Sequence, residues 1–359
     1  MTELEAMRRA LALARHGWGR VHPNPMVGAV VLSGDEPVGE GYHAEYGREH
    51  AERVALAAAG RLARGATLVV TLEPCAHVGK QPPCVDAIIS AGLLRVVAAA
   101  ADPHPVAAGG AARLRDAGIE VELGLLRQEA ERQNAGFFHG VRSAVRPWVA
   151  LKLATSLDHR IADSSGESKW ISGTVARSFT HALRAGFDAI AVGGRTAIRD
   201  NPRLSPRGSI TPRVPPTRVI FAGNAPLPPS LAIFASEGET VVVTSRAGAP
   251  DARQRFRNAA ILPADTLAEA LDALRASGVR SLLIEGGGRL AGGLLREGLV
   301  DRYYWVQSPV WLGDTGVPAT AGWDVAALSD AERWCVVERR ALGEDTLMVL
   351  DREPCSPVS

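Results

Sequence analysis

The sequence predicts an α/β protein of two domains, and three observations carry that prediction. At 359 residues the chain exceeds the usual size of one domain, and each half can bury a core of its own. Short apolar strands alternate with helix-patterned segments along almost its whole length, which is the layout of sheets covered by helices. The pattern breaks at Arg146-Pro147, which separates a first domain, residues 1–145, from a second, residues 146–359.

Thr2 and Glu5 form a capping box ahead of Leu4, Met7, Leu11 and Ala14 at helical spacing, so a first helix runs to His16. His22-Pro23-Asn24-Pro25 then forces a loop. Val27 to Leu32 reads as a strand, paired in a hairpin with the segment around Val38-Gly41. A helix follows from His50, a strand from Thr67 to Thr71, and a helix from Cys84 to Ala91 that closes at Gly92. Strand Arg95 to Ala101, helix Ala111 to Ala117, strand Ile119 to Leu123 and helix Leu125 to Phe138 complete the first half.

The second half opens with strand Trp148 to Thr155, helix Val175 to Ala185, strand Asp188 to Val192 and a turn at Gly193-Gly194. Residues 201–216 hold five prolines and read as a loop. Strands at Arg218 to Phe221 and Thr240 to Thr244 come next, with 223–230 and 246–253 as surface connections. Helix Leu267 to Ala276, strand Ser281 to Ile284, helix Leu290 to Arg296 and strands Asp301 to Gln307 and Thr346 to Leu350 finish the sheet.

Composition excludes several classes of function. The 46% hydrophobic share is scattered, with no apolar run near the roughly 18 to 20 residues of a membrane span. The first five residues, Met1-Thr2-Glu3-Leu4-Glu5, are acidic and lack the layout of a secretory signal, so a cytoplasmic protein is expected. A net charge of +1 without a basic stripe argues against gripping a nucleic-acid backbone. Of the four cysteines, Cys75 and Cys84 sit beside prolines downstream of a His-x-Glu, a pattern that reads as metal binding before disulfide. No role is assigned to Cys335 and Cys355.

His50, Cys75 and Cys84 supply one imidazole and two thiolates, and Glu52 adds a carboxylate that need not be a ligand. Three protein ligands leave the fourth tetrahedral position for water, which distinguishes a catalytic zinc from a structural one. At a helix N-terminus facing end-on into a pocket, His50 can bind the metal while Glu52 exchanges protons with the water and the leaving amine. The thiolate of Cys84 gains from the dipole of the helix it starts. A closed structural zinc with His77 as fourth ligand is the alternative that these residues leave open.

Eight residues separate Cys75 from Cys84, where the commonest deaminase spacing has two. The strings Thr71-Leu72-Glu73-Pro74-Cys75-Ala76-His77, Gln81-Pro82-Pro83-Cys84-Val85-Asp86-Ala87 and His22-Pro23-Asn24-Pro25-Met26-Val27-Gly28 closely resemble the deaminase half of the bifunctional riboflavin-biosynthesis deaminase/reductase family, in which the longer loop is usual. The resemblance implies an N-terminal cytidine-deaminase-like three-layer domain. It also implies zinc-dependent hydrolytic deamination of a small-molecule phosphoribosyl pyrimidine, with Glu52 catalytic and Asn24 on the pyrimidine. A tRNA deaminase is disfavoured by the balanced charge.

In the second half, Lys152 to Asp158, Gly166 to Ser172 and Glu285-Gly286-Gly287-Gly288 follow the order of the reductase half of the same family, whose fold is similar to dihydrofolate reductase. Taken alone, the glycine run is either a phosphate-approaching turn or a tight strand-to-helix connection. The resemblance implies NADPH contacts at Ala154, Trp170, Thr196, Asp200 and Gly287, and substrate contacts at Ser168, Arg184, Leu204, Arg207 and Glu285. A homo-oligomer, dimer or tetramer, is expected, with no nucleic-acid or membrane partner.

Three positions depart from that family. His159 follows Asp158 where glycine is usual, Asn201 replaces an acid before Pro202, and Phe221-Ala222-Gly223 lacks the aspartate usual after its strand. Two alternatives therefore remain open at this level: a deaminase whose second domain only binds or dimerises, and a paralogue acting on another pyrimidine.

Overall fold

The first helix, α1 (Glu3–Ala14), is capped as its sequence requires: the Thr2 hydroxyl accepts from the Glu5 N–H, and the Glu5 carboxylate accepts from the Thr2 N–H. The computed structural model describes residues 1–142, 145–235 and 238–352. Its contacts divide the chain into Met1–Ser143 with Pro212–Val214, and Ala144–Thr211 with Pro215–Ser359.

In the first unit, β1 (Gly28–Ser33) and β2 (Glu36–Tyr42) form the expected hairpin, followed by α2 (Ala51–Ala59), β3 (Thr67–Leu72), α3 (Cys84–Ala91), β4 (Arg95–Ala100), α4 (Gly110–Asp116) and β5 (Glu120–Leu123). The sheet runs β2-β1-β3-β4-β5, antiparallel across β1 and parallel from β3 to β5. Two glycines let helices lie directly on it. A Cβ at Gly28 would fall 2.0 Å from the Ala10 carbonyl oxygen of α1, and one at Gly41 would fall 2.5 Å from that of Ala51 in α2. The second of these seats the first turn of α2, which carries Glu52, against the sheet.

The single helix expected from Leu125 to Phe138 is instead two, α5 (Arg127–Gln133) and α6 (Ala135–Arg142). They meet at buried Asn134, whose side chain takes both backbone groups of Met26, accepting its N–H at 2.8 Å and donating to its carbonyl at 2.9 Å. A polar clamp on the Asn24-Pro25 loop thus occupies a position that periodicity alone reads as helix.

The second unit contains β6 (Trp148–Thr155), β7 (Arg160–Ala162), α7 (Thr174–Arg184), β8 (Ala189–Gly193), α8 (Gly194–Asp200), β9 (Thr217–Gly223), α9 (Ala232–Ala235) and β10 (Thr240–Thr244). It continues through α10 (Ala249–Arg255), β11 (Ala260–Pro263), α11 (Leu267–Ala276), β12 (Ser281–Glu285), α12 (Gly288–Arg296), β13 (Arg302–Gln307), β14 (Val317–Pro318), β15 (Cys335–Leu342) and β16 (Asp345–Asp351). Nine strands make one sheet, ordered β11-β10-β9-β8-β12-β6-β13-β16-β15, parallel except for the β15–β16 hairpin added against β13. The buried strands of this parallel part are the apolar runs that the sequence displays.

The short elements β7, α9, β11 and β14 fall where the sequence assigns none, and three further differences have a physical reason. Gly193-Gly194 opens α8 rather than a simple turn, and the absence of a side chain at Gly194 lets the helix start pack on Ala225, whose Cβ would lie 2.8 Å from one added there. Residues 246–253, expected as a connection, include much of α10, which begins at Ala249-Pro250 and buries Ala249 and Ala252. Strand β15 was not anticipated: it is an edge strand with Glu338, Arg339 and Arg340 exposed, so it lacks an apolar signature. Cys335 is disulfide-bonded, and Cys355 lies outside the described residues. Among the described residues no helix is long and apolar enough to cross a membrane.

Candidate zinc and reductase sites

Three elements deliver the zinc-type ligands. His50 is the N-cap of α2, Cys84 is the first residue of α3, and Cys75 follows the end of β3. Their ligand atoms lie within 4.8 Å of one another. His50 Nδ1 is 3.6 Å from Cys75 Sγ and 3.3 Å from Cys84 Sγ. Bonds of about 2.0 Å to nitrogen and about 2.3 Å to sulfur at tetrahedral angles imply an edge of about 3.5 Å, so the donor set fits zinc in chemistry and in size. His77 stands on the wall of the same cavity, outside this cluster, with Nδ1 buried and lacking a hydrogen-bond partner.

The electrostatics suit the assignment. Hydrogen bonds from Cys84, reinforced by His50, hold the Cys75 thiol down at about 4, while the bond to Cys75 and burial push the Cys84 thiol up. The hydrogen bond to Cys75 raises His50 against the effect of burial. Glu52 is only 4% exposed, and burial raises its carboxyl above the usual range, toward a group that can both take and return a proton.

The cavity at this cluster measures about 300 Å³ and is lined by Asn24, His43, Tyr46, Glu52 and Asp102 among others. His43 was not singled out from the sequence. It stands edge-on to the His50 ring at 5.3 Å, and its Nδ1 bonds to the Glu49 carbonyl at 3.0 Å while Nε2 lies 3.4 Å from the Asn24 amide nitrogen. Buried Glu73 accepts from the Asp102 and Ala111 N–H groups at 3.1 and 2.9 Å, tying down the segment that brings Asp102 to the wall. No local motif marks His43 or Asp102, because their role depends on where the strands end in space.

A second cavity of about 310 Å³ lies in the other unit. It is lined by Ala154, Ser168, Trp170, Arg184, Thr196, Asp200, Leu204, Glu285 and Gly287, so nine of the ten residues expected there converge. Arg207 is not on its wall, although its charge reaches His181, which is. Gly286 and Gly287 have φ of 69° and 89°, and a Cβ at Gly287 would lie 3.0 Å from Thr196 Oγ1. The glycines thus bring bare backbone to the cavity at the start of α12, where N–H groups suit an anion.

Arg184 spends its fork on Glu285: Nε reaches Oε1 at 2.6 Å and Nη2 reaches Oε2 at 2.7 Å, while Nη1 donates to the Ser205 carbonyl at 3.1 Å. Burial opposes both charges, yet the pair lowers Glu285 and raises Arg184. Lys152, on the same wall, is lowered by burial, and Glu285 and Asp345 oppose that shift.

Residues 147–348 match the family described as RibD C-terminal domain, and residues 1–100 match the cytidine and deoxycytidylate deaminase zinc-binding region. A riboflavin biosynthesis protein RibD from Haemophilus influenzae is 40% identical over 356 residues, covering 94% of each chain. The chain belongs to the RibD family. The Acinetobacter baumannii RibD structure is 35% identical with a TM-score of 0.84, covering 97% of this chain and 98% of that one. A diaminohydroxyphosphoribosylaminopyrimidine deaminase/5-amino-6-(5-phosphoribosylamino)uracil reductase from Thermotoga maritima is 34% identical with a TM-score of 0.85, covering 98% and 99%. Membership makes the chain a riboflavin-biosynthesis enzyme that joins a zinc-binding, cytidine-deaminase-like domain to an NADPH-dependent RibD reductase domain.

Two of the three positions expected to depart from the family carry a left-handed backbone. His159 and Asn201 have φ of 61° and 43°, the left-handed region that favours glycine and tolerates asparagine. Asn201 ends α8 there, and its Oδ1 accepts the Ala232 N–H at 2.7 Å. Beyond Ala222, Gly223 is also left-handed at φ 54°, and its carbonyl accepts from the Thr244 hydroxyl.

Proposed function

We propose that this chain deaminates 2,5-diamino-6-ribosylamino-4(3H)-pyrimidinone 5′-phosphate and then reduces the ribosyl group of the product to ribityl with NADPH. The observation that carries the reading is the buried Glu52 carboxylate beside the His50, Cys75 and Cys84 ligand cluster, in a cavity of substrate size. The name of the Thermotoga maritima relative supports the substrate class.

Zinc bound to these ligands supplies a Lewis acid that makes water a nucleophile near neutral pH. Glu52 would take a proton from that water as its oxygen bonds to C2 of the pyrimidine, and would return it to the amine on C2, which would leave as ammonia. Asn24, steadied beside His43, holds the pyrimidine edge. In the second unit bound NADPH would supply the hydride for C1′ of the ribosyl group, the C1′–O4′ bond opening and O4′ taking up a proton to give the ribityl chain. Ala154, Trp170, Thr196, Asp200 and Gly287 would hold that cofactor, and Ser168, Arg184, Leu204 and Glu285 would face the phosphoribosyl substrate, while Arg207, expected among them, stands off the cavity wall. Residues 1–145 and 146–359 are the two catalytic domains. The enzyme works in the cytoplasm as a homo-oligomer, a dimer or tetramer, without nucleic-acid or membrane partners.

The test is to assay purified full-length protein for ammonia release from the diaminopyrimidine, and separately for NADPH oxidation with the deaminated intermediate supplied. Both activities are expected. Ammonia release without NADPH oxidation would reduce the second domain to a binding or dimerisation module.

A further inference from the structure

Helix α7 carries Arg177, His181 and Arg184 to the wall of the reductase cavity. Its N-cap residue is Gly173, which has no side chain to cap with. Instead the Gly173 N–H donates to Asp345 Oδ2 at 2.8 Å, a carboxylate 172 residues further along the chain and only 3% exposed. The fit is close, since a Cβ at Gly173 would lie 3.3 Å from that oxygen. Asp345 opens β16, directly after the turn that leads out of β15. In that turn a Cβ at Gly343 would lie 3.4 Å from the Val175 side chain, so the hairpin abuts the first turn of α7 in two places.

We propose that Asp345 is a positioning residue of the reductase site: by holding Gly173 it fixes the start of α7, and through α7 the reach of His181 and Arg184 into the cavity. Two further observations agree. A carboxylate at a helix N-terminus is favoured by the helix dipole. The charge of Asp345 also reaches Lys152 on the cavity wall, where with Glu285 it opposes the lowering that burial and Arg184 impose. The hairpin that the sequence does not advertise thereby gains a task, because its second strand delivers the anchor for a substrate-facing helix. The inference rests on the cavity lined by α7 being the reductase site.

The experiment compares Asp345→Ala, Asp345→Asn and Arg184→Ala in the full-length protein, measuring KM and kcat for NADPH oxidation with the deaminated intermediate and, in the same preparations, ammonia release. A displacement of about 1 Å in a positioned group can cost about 100-fold, so Asp345→Ala is expected to lower reductase kcat/KM by about tenfold or more, chiefly through KM. Ammonia release should stay at the parental rate. Asp345→Asn keeps an acceptor oxygen for the Gly173 N–H and should recover most of the loss. A parental KM in Asp345→Ala with Arg184→Ala impaired overturns the role of Asp345 and leaves the cavity assignment standing. Parental behaviour in both overturns both. A fall in kcat alone, matched by a lower folded fraction, reduces Asp345 to a structural residue and also overturns the proposal. If Asp345→Ala does not fold, Gly173→Ala carries the test by pressing a Cβ onto the retained carboxylate: a raised KM is expected, and a parental one overturns the proposal.

Discussion

Arg184 and Glu285, 101 residues apart, meet as a two-pronged ion pair with side chains only 14% and 13% exposed. Removing one partner from such a pair leaves the other charge in a poorly solvated place, and breaking it costs about 3 kcal/mol. Glu285→Ala is therefore expected to lower stability by about that amount and to abolish most NADPH oxidation while ammonia release continues. Denaturant titration of the full chain and the two assays check this. A fully active, equally stable variant would show that the pair is incidental.

The pair also shows where the sequence stops being informative. Arg184 ends a helix and Glu285 ends a strand, and only the parallel neighbours β8, β12 and β6 bring them together. The zinc half is more legible because its ligands sit at local landmarks: an N-cap, a residue after Pro74 and a residue after Pro83. Proline and helix starts are written in short strings, whereas Asp345 acts on the Gly173 N–H 172 residues away, and His43 and Asp102 reach the cavity because β2 and β4 end beside it, so none of the three leaves a local trace. The broken helix at Asn134 is hidden in the same way, by bonds to Met26 108 residues away, whereas β15 is hidden because its exposed edge carries charge instead of an apolar pattern.

Glu52→Gln preserves shape and removes the titrating oxygen. General acid–base groups contribute about 10² to 10⁴ in rate, so ammonia release should fall by about that factor. Zinc content and NADPH oxidation should be unchanged. Loss of zinc or of folding in this variant would instead make Glu52 a structural support for the ligand cluster.

Cys84 is fully buried at the start of α3, with its N–H directed at Cys75 Sγ at 3.4 Å. Cys84→Ala removes one of three ligands, and elemental analysis should find zinc lost together with ammonia release. The reductase assay should be unaffected, because its cavity is lined entirely by residues 152–287. Retained zinc would mean that a residue outside the cluster, His77 being on the wall, completes the site.

Asn134→Ala would strand the N–H and carbonyl of Met26. Leaving a buried polar group unsatisfied costs about 1–3 kcal/mol, so a stability loss of about 2 kcal/mol is expected by urea titration. Because Asn24 and Pro25 line the zinc cavity beside Met26, the KM for deamination should rise as well. An unchanged KM at reduced stability would limit Asn134 to packing.

Asn201 decides how the departures from the family pattern are to be understood. Its φ of 43° and ψ of 53° place it in the left-handed region, where a residue with an ordinary Cβ pays about 1–2 kcal/mol and asparagine or glycine pays less. Asn201→Ala should accordingly destabilise by about 2 kcal/mol, combining backbone strain with loss of the bond to the Ala232 N–H, and Asn201→Gly should lose only the bond, about 1 kcal/mol. Asn201→Asp keeps both the acceptor and the tolerance, so the KM for NADPH should stay near the parental value. If Asn201→Asp instead raises reductase activity tenfold or more, the asparagine marks a weakened cofactor site rather than a helix-ending residue chosen for its backbone.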